Sequence, residues 1–350
     1  MSILLSADIG GTKTILRLSK LEAGVLSTIS QKQYQSANWQ TFEAILDNFL
    51  QNSPACNSAC FAIAGPLQQL EDDTIVNVTN LPWKLSLRSL KAKYQLPQLS
   101  LINDFEAIAH ALEQLNEDDL FTLQQGTPSP TGTRAFIGAG TGLGQAISFF
   151  DGADYDVIST EGGHCDFAPN NDFEIALYQF LNQKYVHVSY ERLLSGDGLI
   201  NIYLFFFQIC HPDENSVKEH AAIEAQTDKA MAISQQAALY PEGLSARSLD
   251  LFFRIYGAQA GNLALTCLPS GGIYIAGGIA QKNIGYMKSS SFLACFNAKG
   301  RMQPLLENIP VKIITSASAG LSGASNFALK QLKQLKQLKQ LKQLKQLRKH

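Results

Sequence analysis

The same local pattern occurs twice in this chain: a short apolar run, a glycine turn that contains a threonine, and a second β-like run. The first turn is DIGGTK (residues 8–13), and the second is GAGTGLG (residues 138–144). Two β-runs joined by a glycine turn predict a hairpin. Bare glycine N–H groups and a threonine hydroxyl suit a phosphate. The repetition therefore indicates a duplicated architecture that holds a polyphosphate with one hairpin from each of two lobes.

Neither turn matches the nucleotide-binding motif of another common fold. The first lacks GxxxxGK[ST], and the chain continues as a strand where a P-loop would open a helix. The second matches GxGxxG in part, but the β-like run after it argues against a dinucleotide-binding fold. Taken alone, the first turn is explained equally well by a tight hairpin without a ligand, so the phosphate hypothesis depends on the pair.

An apolar run ends in an amide and a carboxylate within the segment SLINDFEAIAHAL (residues 100–112), which then turns helical. Beside a hydroxyl substrate, Asp104 can accept a proton as a general base, and Asn103 can donate to and accept from a neighbouring hydroxyl. On this segment alone, a simple capping role for Asp104 is the commoner explanation, since a helix cap needs only one residue of this type.

Three further polar residues extend this set. Glu161 and His164 lie in EGGH after a short strand, and Glu191 follows about thirty residues later in SYER. Each alone has an ordinary explanation, as a structural histidine or a solvated helix charge. Together with Asn103 and Asp104 they match a ring of hydroxyls, because polyols are bound by many directional hydrogen bonds.

Length and charge exclude some classes of protein. At 350 residues the chain exceeds what one hydrophobic core usually supports, so we expect two lobes with a ligand cleft. Residues 330–350 carry eight Lys or Arg and no acid, which leaves 20 basic against 30 acidic residues before them. Residues 1–329 therefore carry a net charge of about −10, which argues against binding to nucleic acid.

The six cysteines show neither a CxxC pair nor a Cys/His spacing typical of zinc. We expect reduced, buried thiols in a cytoplasmic protein. The N-terminal stretch MSILLSADIGG has no basic region and reaches Asp8 after seven residues, so it predicts a first strand and neither a signal peptide nor a membrane span.

Two later segments predict core elements. Residues 247–267 place apolar side chains on one helical face, and Gly257 and Gly261, four residues apart, permit close helix packing. Residues 271–276 predict a buried strand that ends in Gly277 and Gly278, where the backbone is open to a flat ring or a helix N-terminus.

The chain ends in KQL repeated six times from Lys330 to Leu347. At 100° per residue, leucines three positions apart step by 300° and walk round an α-helix without forming a fixed stripe. We therefore expect a low-complexity, largely solvated tail, with a weak affinity for an acidic partner or an anionic lipid as the alternative.

Taken together, these motifs resemble the bacterial glucokinase family. The resemblance is carried, in chain order, by DIGGT (8–12), LINDF (101–105), GAGTGLG (138–144), EGGHCDFAPN (161–170), ERLLSGDGL (191–199) and AGGIA (276–280). It implies an α/β, two-lobed actin/hexokinase-type ATPase fold of the ribonuclease H-like kind, with the active site in the interlobe cleft. It also implies glucose and ATP as substrates, Mg²⁺ as cofactor, and a homodimer that binds neither nucleic acid nor membrane.

The same resemblance implies residue roles. Glucose would be bound by Asn103, Asp104, Glu161, His164 and Glu191, with Asp104 as the base. Nucleotide contacts would come from Asp8, Ile9, Gly10, Gly11, Thr12, Lys13, Gly140, Thr141, Gly142, Gly277 and Gly278. Asp8 would hold Mg²⁺ through water. We expect a small domain formed by residues 1–114 and 305–329, a large domain of residues 115–304, and the tail of residues 330–350.

One departure concerns zinc: the related repressor and sugar-kinase group follows its ExGH with CxCGxxGC, whereas here His164 precedes CDFAP, so we expect no structural zinc.

The functional hypothesis is ATP-dependent phosphorylation of the 6-hydroxyl of glucose. Two alternatives stay open: a kinase that uses another hexose or another phosphoryl donor, and a sugar sensor that has lost catalysis.

Overall fold

The computed structural model describes residues 2–210 and 213–347, apart from the side chains of residues 339 and 341–347. The chain divides into two compact units. The first contains Met1–Asn116 and Ser316–His350, and the second contains Glu117–Thr315. The strands of both units, in chain order, are β1 (Ser2–Ile9), β2 (Lys13–Glu22), β3 (Val25–Gln35), β4 (Ser58–Ile63), β5 (Leu67–Gln69), β6 (Thr74–Asn77), β7 (Lys84–Ser86), β8 (Leu99–Asn103), β9 (Leu120–Gln124), β10 (Arg134–Ala139), β11 (Leu143–Phe150), β12 (Tyr155–Thr160), β13 (Gly272–Ala276) and β14 (Val311–Ile314).

The α-helices are α1 (Phe42–Leu50), α2 (Leu87–Tyr94), α3 (Asp104–Ala111), α4 (Asp172–Asn182), α5 (Gly196–Ile209), α6 (Glu214–Glu224), α7 (Lys229–Leu239), α8 (Leu244–Cys267), α9 (Gly278–Lys282), α10 (Ile284–Ser289), α11 (Phe292–Asn297), α12 (Gln303–Glu307) and α13 (Ala319–Leu347). Short 3-10 helices at Gly162–His164 and Tyr190–Arg192 carry residues that matter below. The expected α/β fold is confirmed, and its two larger sheets mix parallel and antiparallel pairs.

The first unit is built on a five-stranded sheet in the order β3-β2-β1-β4-β8. Successive residues of β1 point to opposite faces, as the period of a strand requires. Leu5 packs on the face that α1 and α2 cover, and Leu4 packs on the face that α3 and α13 cover. Because helices cover both faces, β1 and β4 are buried along almost their whole length. β5, β6 and β7 form a separate small sheet in the order β5-β6-β7.

The second unit is built on a six-stranded sheet in the order β12-β11-β10-β13-β14-β9. Its largest helix is α8, whose residues are mostly buried. The close packing expected at two of its glycines is confirmed, because a Cβ on Gly257 or Gly261 would collide with the backbone carbonyl of Phe292 or Phe296 in α11. The helix therefore lies unusually close to α11 and forms the centre of this unit's core.

One domain boundary expected from the sequence is wrong. Residues 305–315 do not join the first unit with 316–329, because β14 pairs in parallel with β13 and antiparallel with β9 inside the sheet of the second unit. The backbone N–H of Thr315 also bonds to the carbonyl of Asp119, at 2.8 Å. The chain returns to the first unit only at Ser316.

The KQL repeat is helical, whereas we expected a solvated tail. Its residues up to Leu347 continue α13, and Leu332 is only 5% exposed in the cluster that α13 forms on the sheet. The Gln331 side chain donates to Ser100 Oγ at 2.5 Å. From Lys333 to Leu338 the side chains are exposed or half-buried, so the expectation of solvation is met only beyond the first repeat.

Contacts at both ends of β1 fix the direction of α13. Gly320 lies beside Asp8 near the end of β1, and Lys336 Nζ lies 3.5 Å from Ser2 Oγ at its beginning. The helix therefore runs antiparallel to β1. Residues after Lys336 extend the helix about 16 Å past this contact, at about 1.5 Å per residue.

Truncation is expected to separate the packed part of α13 from the rest. A chain that ends after Leu332 should keep the Tm of the full-length protein, because the side chains from Lys333 to Leu338 contribute little buried surface. A chain that ends after Ala328 removes the buried Leu329 and Leu332 and should lose about 4 kcal/mol or more of stability. Thermal melts of the three proteins measure the difference. Equal destabilisation by both truncations would show that the exposed repeats carry the stability.

Candidate active site

The predicted hairpin of the first unit is confirmed. Its turn is held by hydrogen bonds from Ser36, a residue that the sequence analysis did not identify. β1 and β2 pair from Ser2 to Ile9, and the turn closes with the Gly10 N–H bonded to Lys13 O at 3.0 Å. Ser36 Oγ donates to Gly10 O at 2.8 Å, and the Ser36 N–H bonds to Thr12 O at 3.0 Å. The side chains of Thr12 and Lys13 are left exposed at the turn, where a ligand can reach them.

Gly11 is required by a close approach within the same unit. A Cβ at this position would lie 2.9 Å from the backbone oxygen of Thr79. The turn therefore rests against the loop at residues 79–80, and a side chain at Gly11 would push the hairpin away from that loop.

Asp8 lies half-buried at the end of β1, beside the first turn of α13. A Cβ on Gly320 would lie 2.9 Å from Asp8 Oδ2, so the absence of a side chain at Gly320 makes room for the carboxylate. Burial raises the pKa of Asp8 above its usual range, and the positive charge of Lys13 offsets part of this. No motif marks Gly320 in the sequence, so only the packing of α13 reveals it.

The N-cap residue of α3 is Asn103, whereas the sequence suggested a capping role for Asp104. Asn103 Oδ1 accepts from the Phe105 N–H at 2.8 Å, and α3 begins at Asp104. Asp104 Oδ1 also lies 3.0 Å from that N–H. Both side chains are half-buried. Because its Oδ1 accepts from the helix, Asn103 offers a ligand chiefly the donors of its amide nitrogen.

Strand pairing brings these groups to one edge of the sheet. β1, β4 and β8 are parallel, with Ile9 opposite Ile63 and Ile63 opposite Asn103. Parallel strands lie about 4.8 Å apart, so the ends of β1 and β8 are about 10 Å apart. Asp8, the hairpin turn, Asn103 and Asp104 therefore share the carboxyl edge, the position at which open α/β sheets bind ligands.

The second predicted hairpin is also confirmed. β10 and β11 pair up to Ala139 opposite Leu143, and the Gly140 N–H bonds to Gly142 O at 2.8 Å within the turn. Thr141 is exposed. At the start of α5, the Gly196 N–H donates to Gly140 O at 2.8 Å and ties that helix to the turn.

The structure brings Glu161, His164 and Glu191 together. His164 Nε2 lies 3.9 Å from Glu161 Oε2, and His164 Nδ1 lies 4.0 Å from Glu191 Oε1. The side chains of Glu161 and His164 are 64% and 57% exposed, whereas that of Glu191 is 25% exposed. A cluster of two carboxylates and an imidazole that is open on one side can bind several hydroxyls at once.

Glu191 also reaches the second hairpin turn. Its Oε2 accepts from the Leu143 N–H at 2.9 Å. A Cβ on Gly142 would lie 2.5 Å from the same oxygen, so this glycine is needed for the contact. The carboxylate cluster and the hairpin turn at residues 140–142, which we name the phosphate-type turn after its predicted ligand, are therefore adjacent in the second unit.

Gly277 lies against the same turn from the neighbouring strand. Its φ is +86°, in the region that favours glycine, and a Cβ there would collide with the backbone of Ala139. α9 begins at Gly278, beside the end of β10. The second unit thus holds its hairpin turn, both of these glycines and the cluster of carboxylates and imidazole, and the first unit holds the remaining candidate residues.

The cysteines differ from expectation in their exposure. All six are free thiols, but only Cys60 is fully buried, and Cys165 beside His164 is exposed. Burial raises the pKa of Cys56 and of Cys267 to about 11.

Over residues 2–210 and 213–347, no group of three or more His, Cys, Asp or Glu side chains is placed to hold a metal ion. In the same residues, no helix has the length and hydrophobicity needed to span a membrane.

Comparison with protein families decides the family. The family model described as Glucokinase matches residues 5–331, nearly the whole chain. The chain belongs to the glucokinase family. The match ends at Gln331, inside the first KQL repeat. Leu332 and the five repeats that follow therefore lie outside the matched region.

Individual glucokinases are similar over the same extent. The glucokinase of Nostoc punctiforme is 42% identical over 339 residues, which cover 93% of this chain and 98% of the relative. A solved glucokinase from an Antarctic psychrotroph is 28% identical with a TM-score of 0.78, covering 94% and 99% of the two chains. A ROK family glucokinase from Streptomyces griseus, solved in complex with glucose and AMPPNP, shares the fold with a TM-score of 0.62 at 18% identity, covering 94% and 99%.

Proposed function

We propose that this chain transfers the γ-phosphoryl group of ATP to the 6-hydroxyl of glucose, with Asp104 as the general base. ATP-dependent phosphorylation of glucose is the activity of the family to which it belongs. The observation that carries the site assignment is the cluster of Glu161, His164 and Glu191, which is bonded through Glu191 to the turn before Leu143. A polyol site and a phosphate-type turn that share one carboxylate suit a sugar kinase.

The sugar is bound from two sides in this proposal. Glu161, His164 and Glu191 of the second unit accept from and donate to the ring hydroxyls, and Asn103 donates its amide hydrogens from the first unit. Asp104 accepts the proton of the 6-hydroxyl as that oxygen attacks the γ-phosphorus and the bond to ADP breaks. Exclusion of water from the bound substrates would remove a competing nucleophile.

The nucleotide is held by the two hairpin turns. Residues 11–13 and 141–142 present backbone N–H groups and the exposed hydroxyls of Thr12 and Thr141 to the phosphates, while the N–H groups of Gly10 and Gly140 close the two turns. Gly278 leaves open backbone for the adenosine, because nothing lies within 4 Å of the position that its Cβ would occupy, and Gly277 fixes the backbone beside it against Ala139. In support of this substrate pair, the Streptomyces griseus glucokinase of the same fold was solved with glucose and AMPPNP. We further propose a cytoplasmic homodimer.

Mg²⁺ fits the first unit through Asp8, a hard oxygen ligand near the exposed Thr12. A half-buried carboxylate with a raised pKa gains from a nearby cation, since the cation offsets the cost of burying the charge. When bound, the ion would neutralise phosphate charge, and Asp8 would hold it through water.

Replacing Asp8 with asparagine is expected to raise stability while lowering turnover. Because burial raises the pKa of Asp8, the folded state binds this proton more tightly than the unfolded state, so the ionised carboxylate costs stability at pH values above the raised pKa. The cost disappears below the ordinary pKa of aspartate. Asp8→Asn should therefore have the higher Tm at pH 8, with a gap that narrows on acidification, and a kcat lower by about 10- to 100-fold. A lower Tm at pH 8 would contradict this account.

The reaction is tested by ADP release from the purified protein with Mg-ATP, with and without glucose. We expect strong glucose-dependent release with glucose 6-phosphate as the product, and loss of release when Mg²⁺ is chelated. Parallel assays with mannose, fructose and N-acetylglucosamine test the choice of hexose, because epimers differ by a single hydroxyl. ADP release with another hexose but not with glucose would show that the substrate is that other hexose. The absence of ADP release with every sugar would refute the proposed function.

A further inference from the structure

Backbone pairing holds together the two short segments that carry the sugar-binding residues of the second unit. We name residues 162–168 the histidine segment and residues 187–192 the glutamate segment. The two meet in an antiparallel bridge, in which the Tyr190 N–H donates to Cys165 O at 3.0 Å. The 4.0 Å separation of the imidazole and the carboxylate in the cluster depends on the register of this bridge.

Tyr190 fastens the bridge at two points. Its N–H bonds to Cys165 O, and its ring packs edge-on against Phe167, both in the histidine segment. The side chain is 3% exposed. Its hydroxyl oxygen accepts from Asn262 Nδ2 of α8, at 3.0 Å. The position of Tyr190 is thus set from α8.

The amide of Asn262 is oriented by a lysine. Lys299 Nζ donates to Asn262 Oδ1 at 2.7 Å and to the Ala258 carbonyl at 2.9 Å. A lysine can only donate, so the oxygen of the amide faces Lys299 and its nitrogen faces Tyr190. Asn262 therefore presents a donor to the tyrosine in one fixed direction.

The same helix also holds the phosphate-type turn. Tyr256 of α8 is fully buried, and its hydroxyl donates to Ile137 O and accepts from the Ala139 N–H, each at 3.2 Å. Ala139 is the last residue of β10, directly before Gly140. Asn262 and Tyr256 thus contact the two halves of the site from points about 9 Å apart along α8.

We propose that α8 is the common support of this site, with Asn262 positioning the sugar-binding segments and Tyr256 positioning the phosphate-type turn. The inference rests on the proposed function and extends it to two positioning residues that touch neither glucose nor ATP. Each residue acts through a different contact, so loss of one should affect one substrate more than the other.

Kinetics of two variants test this separation. Asn262→Leu should raise KM for glucose about tenfold and change KM for ATP by less than about twofold, in the range typical of residues that orient binding groups. Tyr256→Phe should raise KM for ATP about tenfold and change KM for glucose by less than about twofold. Asn262→Asp should restore most of the glucose affinity, because the Tyr190 hydroxyl can rotate to donate to a carboxylate oxygen. Tyr286→Phe is the matched control, since it removes a tyrosine bond to the backbone of α8 at Ala246.

Hydrogen exchange on the free protein gives a second readout that does not depend on turnover. Asn262→Leu should speed exchange in the histidine and glutamate segments, Tyr256→Phe should speed it at residues 138–143, and Tyr286→Phe should change neither. Equal effects of both variants on both KM values or on both regions would overturn the inference. An inactive wild type would refute the proposed function, and the exchange pattern would still decide the role of α8.

Discussion

Asp104→Asn is expected to lower kcat by about a thousandfold while leaving glucose binding and Tm nearly unchanged. The substitution removes the proposed proton acceptor, and general bases contribute about 10²- to 10⁴-fold. It keeps an oxygen that can accept from the Phe105 N–H, which lies 3.0 Å from Asp104 Oδ1, so α3 should begin normally. Coupled assays of turnover, calorimetry with glucose and thermal melts measure the three quantities.

The chain contains its own control for this substitution. The sequence NDFE opens both α3 and α4, and in α4 Asn171 is the cap and Asp172 the first helical residue, exposed to solvent. Asp172→Asn therefore makes the same chemical change at the same helical position outside the site. We expect full activity from it. Near wild-type kcat in Asp104→Asn, or an equal loss in the α4 variant, would remove Asp104 as the base.

Gly323→Ala is expected to destabilise the protein by about 3 kcal/mol, a large effect for one methyl group. A Cβ on Gly323 of α13 would collide with the backbone carbonyl of Ala107 in α3. Side-chain rotation cannot relieve a collision with backbone, so the two helices must separate. Because α3 begins with Asp104, we also expect lower turnover. Urea-induced unfolding and steady-state kinetics test both effects.

Gly285→Ala provides the comparison for that variant. Gly285 also lies in a helix, α10, and nothing lies within 4 Å of the position that its Cβ would occupy. There the substitution should be neutral or stabilising by up to about 1 kcal/mol, the difference in helix propensity between the two residues. Comparable destabilisation at both positions would mean that the close approach of α3 and α13 does not limit stability.

Local patterns in the sequence predicted the elements that depend on neighbouring residues. Both glycine hairpins, the strand before Asn103 and the core helix with Gly257 and Gly261 are confirmed. Each of these depends on hydrophobic period, turn residues or close packing that repeats within a few residues. The glucokinase family was predicted from motifs of the same local kind, and the family match confirms it.

Features that depend on distant contacts were missed or wrongly predicted. β14 joins the second unit because it pairs with β13, nearly forty residues earlier in the chain. The first KQL repeat is packed because Leu332 is buried in the apolar cluster that α13 forms on the sheet, although the repeat itself has no fixed apolar stripe. Ser36 and Gly320 carry no motif, and their importance follows only from the turn and the carboxylate that they contact.

The sequence by itself determined the α/β class and the two glycine hairpins, because turn geometry and strand period are encoded over a few neighbouring positions, and it proposed the candidate residues. Only the tertiary structure decided how those residues are held. Glu191 reaches His164 and Leu143, and Asn262 reaches Tyr190, through contacts between segments far apart in the chain. Such contacts depend on how whole elements pack, and no local pattern specifies that packing.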